Sequence, residues 1–402
     1  MVRRTALTKR PTTVYLDTSD ISNLSTPGFA ARKTGLLELK ERGLARFPFS
    51  DVLLLESLPV DEDAAGKGIA RIRTIAELSG LEHHPSAWAI LDHEVRRIVA
   101  RHRKSRVRAP MPTDWFYQLG EIPDLWGDVR KSLMEEWKAT PGSSRTERRY
   151  RMKKLAQTFR ASAATPAEEE RLAVLIDSYP FREKDRLRLL SALKTSTTSA
   201  DINLLHREAL GDIVNFAEWV VRSGERGQGV VRGLRAQGMA IESVLVEYAH
   251  RTRQAHEGMQ GAASKSERLA GLRLALAGMR SEWLTEVPRL MAARLFRKDA
   301  SDFNTLPPLT PDTTPSLYAL HEFMMQVIDK SSSESMPRNP VGRASHDYLD
   351  ALHAVFLPHV DVFRSDRFAS GLLVTSPLSA ATAIAPSLAD VPALVMAHQS
   401  RA

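Results

Sequence analysis

Cysteine is absent from the 402 residues, which excludes a disulfide framework, thiolate catalysis, Cys-ligated zinc and iron–sulfur clusters together. Any metal must therefore sit on oxygen or imidazole. Aromatic residues are sparse at 6%, so a nucleic-acid surface built on base stacking has few rings to use. Long apolar runs are missing as well: the longest uncharged stretch, 371–389, is broken by Pro377 and Pro386 and carries several Ser and Thr, a poor bilayer span. The basic start, with Arg3, Arg4, Lys9 and Arg10, runs into Pro11 without the apolar core or cleavage site of a secretory signal. A cytoplasmic protein is the expectation. Also missing are a phosphate-cradling Gly-x-x-x-x-Gly-Lys-Ser/Thr loop, a Gly-x-Gly-x-x-Gly turn, a Gly-x-Ser-x-Gly elbow and a His-Glu-x-x-His pair.

What is there is a globular balance, 43% hydrophobic and 26% charged, over a length that suits two or three domains. The net charge of +8 favours a polyanionic partner. Near the start, 12–16 is β-branched and aromatic and reads as a buried strand ending at the polar turn Asp17-Thr18-Ser19-Asp20. A helix over 29–42 stopped by Gly43, a second strand near 47–49 and a helix over 51–58 capped by Ser50 follow. From about 60 to 312 helical periodicity runs nearly throughout, with no internal repeat. Its clearest stripe, Leu269, Leu272, Leu276, Met279 and Trp283, is expected to end near Pro288. Past a Ser- and Pro-containing linker the α/β pattern returns, with a helix over 342–356, strands over 360–365 and 382–385, and a helix over 388–397. The expected organisation is an α/β domain made by 1–60 and 313–402, interrupted by an all-α insertion over 61–312.

Carboxylates mark the places where an open α/β sheet puts its ligand crevice. Asp17 and Asp366 each follow a strand, Glu56 lies on an early leucine-rich helix, and Asp347 and Asp350 stand three residues apart on a late helix beside His346 and His353. Bringing such anions within about 4 Å costs on the order of 4 kcal/mol per pair at an effective dielectric near 20. A hard divalent cation, magnesium or manganese, would neutralise them.

Four segments, in order, resemble the PIN-domain ribonucleases, which include many bacterial toxin nucleases. They are Val14-Tyr15-Leu16-Asp17-Thr18-Ser19, Ser50 followed six residues later by Glu56, Asp347-Tyr348-Leu349-Asp350-Ala351-Leu352-His353, and Val360-Asp361-Val362-Phe363-Arg364-Ser365-Asp366-Arg367. The resemblance covers roughly the first sixty and last ninety residues. It implies a PIN-like α/β/α fold with a central parallel sheet, a metal site of Asp17, Glu56, Asp350 and Asp366 with Asp347 as rival for the third place, magnesium or manganese as cofactor, and cleavage of RNA. In PIN domains a short helical segment joins the second and third acidic positions; here the whole α block lies between them.

Plainer readings stand beside these. Asp17 could cap a turn, Asp366 the following helix, and Glu56 could be a surface residue. Asp361 reads as a turn residue, and His346 and His353 as hydrogen-bond partners. Basic clusters at 96–108 and 145–154 are either solvated helix faces or contacts to RNA or DNA, with Arg101, Arg103, Lys104 and Arg106 as the candidate contacts. The helical insertion is expected to select a substrate or to bind a protein partner or inhibitor. The competing function is a non-catalytic helical binding or assembly module carrying a degenerate nuclease fold.

Overall fold

The computed structural model describes residues 10–59, 63–105, 110–116, 172–174, 176–195, 199–236, 264–333, 351–374 and 376–401, with scattered positions in 144–147 and 250–258. In chain order the principal elements are β1 (Thr12–Tyr15), α1 (Thr18–Leu24), α2 (Ala30–Glu41), β2 (Ala45–Arg46), α3 (Asp51–Ser57), α4 (Ala65–Ser79) and α5 (Ala87–His102). Then come α6 (Arg186–Thr195), α7 (Ser199–Gly211), α8 (Ile213–Arg222), α9 (Glu225–Ala236), α10 (Lys265–Phe296) and α11 (Pro315–Ser333). The chain closes with β3 (Val362–Arg364), α12 (Arg367–Leu373), β4 (Ala383–Ala385) and α13 (Val391–Arg401).

The four strands form one all-parallel sheet in the order β2-β1-β3-β4. The protein is thus α/β, and its sheet unites both ends of the sequence, with Val14 opposite Val362 and Tyr15 opposite Phe363. Parallel strands are buried on both faces, and β1 shows how. Thr12 Oγ1 meets His398 Nδ1 of α13 at 3.2 Å. Tyr15 stacks between Phe363 and Phe356, with centroids 5.0 and 5.4 Å away, in a cluster fed by α5, α10 and α11.

Side chains close the helix ends as elementary capping requires. Ser50 Oγ accepts from Leu53 N at 3.0 Å at the head of α3, and Ser264 with Glu267 forms a capping box on α10. Gly43, at φ +67°, supplies the left-handed residue beyond α2.

Three local expectations are corrected. The Asp17-Thr18-Ser19-Asp20 stretch is no free turn but the cap and first turn of α1. β2 lies at 45–46, ahead of the 47–49 expected, because Pro48 has no N–H for a ladder; Phe49 makes only an isolated bridge to His83. Helix α10 does not end near Pro288 but continues to Phe296. Pro288 cannot donate to the Leu284 carbonyl, and Leu309 N donates there at 2.8 Å in its place.

The chain divides into two compact units, one of Met1–Ser57, Arg73–Tyr117 and Gly233–Ala402, the other of Leu58–Ile72 and Gln118–Arg232. The helical stretch read as a single insertion over 61–312 is therefore shared between them. The apolar faces of α5 (Trp88, Leu91, Val95) and α10 (Leu276, Met279, Trp283) bury in the same cluster as Tyr15 and Phe363, which ties them to the sheet. The second unit has a core of its own, including Leu172, Phe181, Leu189 and Leu205. Among the described residues no helix is long and apolar enough to cross a membrane.

Candidate active site

Because β1 and β3 are parallel neighbours, their carboxyl ends lie side by side, and the residues just beyond them meet. Asp17 is 5% exposed. Its Oδ1 accepts from Asp20 N at 2.9 Å and from Ser19 Oγ at 2.8 Å, while Oδ2 accepts from Ser365 Oγ at 3.2 Å across the strand junction. Asp366, the next residue, caps α12 by accepting from Ala369 N at 2.6 Å. The capping read as the plainer role for Asp17 and Asp366 is thus present at both. It leaves their position at the sheet's carboxyl edge unchanged.

Asp20 lies one turn into α1 and is 1% exposed. Among the described residues neither carboxyl oxygen accepts a hydrogen bond, although Arg364 Nη2 stands 3.2 Å from Oδ1 as an ion-pair partner. Burial, and then the charge of Asp17, push its carboxyl up to about 8 against the opposing pull of Arg364. Asp20 therefore holds its proton to a higher pH than an ordinary carboxyl does.

Glu56 arrives from the last turn of α3, with its side chain 17% exposed. Its Oε2 accepts from Thr18 Oγ1, next to Asp17, and from His353 Nε2 at 2.9 Å. His353 is itself 2% exposed, and its Nδ1 is 2.5 Å from the Tyr15 hydroxyl, which lies 2.8 Å from Ser50 Oγ. Burial above all holds the Tyr15 phenol well above its ordinary range, with nearby Glu56, Asp51 and Asp17 adding to the effect. It stays a neutral hydroxyl.

Hydrogen bonds thus link three separate stretches of sequence, Ser365 beside Asp366 reaching Asp17 and Thr18 beside Asp17 reaching Glu56, whereas Asp347, Asp350 and His346 lie outside the described residues. The carboxylates here offer hard oxygens, the chemistry that magnesium or manganese prefers, and Asp20 adds two buried oxygens that receive no hydrogen bond among the described residues. Donor chemistry fits such a cation. The number of ligands among the described residues does not reach a complete set, since no three His, Asp or Glu side chains there group as a metal site.

Asp20, Arg364 and the buried partners Tyr15 and Ser50 were not singled out as site residues from sequence. The i, i+3 spacing of Asp17 and Asp20 was their one available signal, and it reads equally as a turn. Asp361, read as a turn residue, accepts from Thr13 N at 2.8 Å and pairs with Arg10 Nη2 at 2.8 Å. Of the basic candidates, Arg101, Arg103 and Lys104 are exposed at the end of α5, with the Arg103 guanidinium 5.2 Å from the Phe303 ring centroid; Arg106 lies outside the described residues. No protein-family model, no curated protein and no solved structure matches the chain.

Proposed function

We propose that the protein is a PIN-like, divalent-metal-dependent endoribonuclease. The observation that supports this reading is the bond from Ser365 to Asp17, and from the neighbouring Thr18 to Glu56, at the carboxyl edge of the two central parallel strands, with Asp366 next in the chain to Ser365. In open α/β sheets that edge is where ligands bind. Asp17, Glu56 and Asp366, with Asp347 or Asp350, would hold magnesium or manganese. The bound ion would supply Lewis acidity toward a phosphodiester and a water of lowered pKa.

The chain's own contributions follow from the hydrogen bonds. Ser365 and Ser19 orient the Asp17 carboxylate, and Thr18 and His353 orient Glu56, so both would be held in place ahead of a ligand. Arg364, 3.2 Å from Asp20 Oδ1, sets a positive charge beside the Asp17–Asp20 pair. The basic end of α5 would contact RNA phosphates.

The test is cleavage of a labelled single-stranded RNA by the full chain with magnesium or manganese, read together with thermal unfolding. Manganese at 100 times its Kd should stabilise the protein by about 2.7 kcal/mol. Asp17→Asn should remove that gain and slow cleavage by roughly 100-fold or more, the equivalent of about 2.7 kcal/mol. A wild-type chain that neither cuts RNA nor responds to millimolar metal would overturn the nuclease and favour the non-catalytic binding module.

A further inference from the structure

Glu56 is held from behind by a buried chain of hydrogen bonds that returns to its own helix. We propose that Ser50, Tyr15 and His353 form a directional relay that fixes the Glu56 carboxylate at the crevice, with His353 as its positioning residue. The inference rests on the reading of Glu56 as a site carboxylate.

The direction of the relay follows from what each atom is able to do. An ionised carboxylate only accepts, so the 2.9 Å contact to Glu56 Oε2 places the imidazole proton on Nε2. In the relay Nδ1 carries no proton and is the acceptor for the Tyr15 hydroxyl, 2.5 Å away. With its proton committed, the Tyr15 oxygen accepts from the Ser50 hydroxyl at 2.8 Å. Ser50 Oγ in turn accepts from Leu53 N at 3.0 Å, and that N–H can only donate. The chain therefore begins at a backbone N–H of α3 and ends on a carboxylate of α3. Two residues from other parts of the fold, Tyr15 on β1 and His353, close it.

Nothing in the relay is idle structurally. Tyr15 is locked by stacking between Phe356 and Phe363, and the His353 ring stands edge-on to it at 5.7 Å and 68°. A rigid ring pair gives Glu56 one direction, where an unbraced glutamate would sample several rotamers. Partners of this kind behind a carboxylate or histidine usually change metal affinity or activity by about 10- to 100-fold when removed.

Two measurements on the full chain decide it. Imidazole nitrogen NMR should find His353 protonated at Nε2 with a hydrogen-bonded, unprotonated Nδ1, and Tyr15→Phe should remove only the hydrogen-bond shift at Nδ1. An Nδ1-protonated ring, or a mixture of tautomers in the wild type, overturns the relay. In manganese affinity and RNA cleavage, His353→Ala should lose about 10- to 100-fold. His353→Gln, whose amide N–H stands in for Nε2–H, should return to within about fivefold of wild type, the worth of one neutral hydrogen bond. If folded His353→Gln falls as far as His353→Ala, the positioning role is wrong. A wild type that neither binds manganese nor cuts RNA ends the nuclease reading, and the tautomer still judges the relay by itself.

Discussion

His84 and His321 sit where a charge has no place. His84 is buried against Tyr15 and Phe356, its Nε2 without a hydrogen-bond partner among the described residues, and burial foremost, with nearby His359, Arg46 and His83, pushes it down to about 3. His321 is pushed down to about 3 by burial and then by Arg280. Folded values below the unfolded value near 6.5 mean that both rings contribute stability above pH 6.5. That contribution is lost as pH falls toward 3. Between pH 6.5 and 5 each should cost about 2 kcal/mol, since 1.5 pH units at roughly 1.4 kcal/mol apply. His321→Leu should remove one such increment, visible in urea unfolding at the two pH values; an unchanged difference would show that His321 is not buried neutral. The raised Asp20 acts in the opposite sense, its contribution full below 3.8 and lost as pH rises through about 8.

Among the elements, α11 owes its start to a residue of another helix. Glu94 of α5 accepts from Ser316 N and Leu317 N, both at 2.9 Å, and so caps α11 from a distance of more than 200 residues along the chain. Burial raises the Glu94 carboxyl while those two bonds oppose it. Glu94→Ala leaves two buried N–H groups without partners and should cost on the order of 3 kcal/mol in urea unfolding, with Glu94→Gln costing less because one carbonyl acceptor remains. Equal losses for the two variants would argue against the cap. No sequence pattern points to such a cap, because its two halves share no local spacing. By contrast β1, β3, α2 and α3 were legible, each marked by composition and a stop signal such as Gly43 or Ser50. α1 was not, since Asp-Thr-Ser-Asp serves a turn and an N-cap equally well. Nor was the passage of α10 through Pro288, which depends on Leu309 reaching the freed carbonyl. In the site, Asp17 and Asp366 could be read from their place after strands. Asp20 and the Tyr15–His353 contact required the fold, because only β1–β3 pairing brings Arg364 to one and Phe356 packing brings His353 to the other.

At the scale of the molecule, the net charge of +8 has a local expression in Arg101, Arg103 and Lys104. If these residues meet RNA phosphates, reversing all three to Glu should weaken association and flatten the dependence of log affinity on log salt by about 0.7 for each lost contact to a single strand. Filter binding at several salt concentrations measures this, and manganese affinity should stay as in the wild type. Loss of metal binding with RNA affinity intact would reverse the division of labour.

The β1–β3 pairing also sets a timetable for the site. Its partners are 348 positions apart, so the length-dependent entropy of closing them is on the order of 5 kcal/mol. At roughly 5–20 residues per second of synthesis, roughly 20–70 s pass between the emergence of Asp17 and that of Ser365. Until then β1 has no β3 to lie against, and Asp17 has no neighbouring strand end to share a crevice with. On the nuclease reading, a nascent chain that has not yet reached Ser365 holds nothing able to cut RNA.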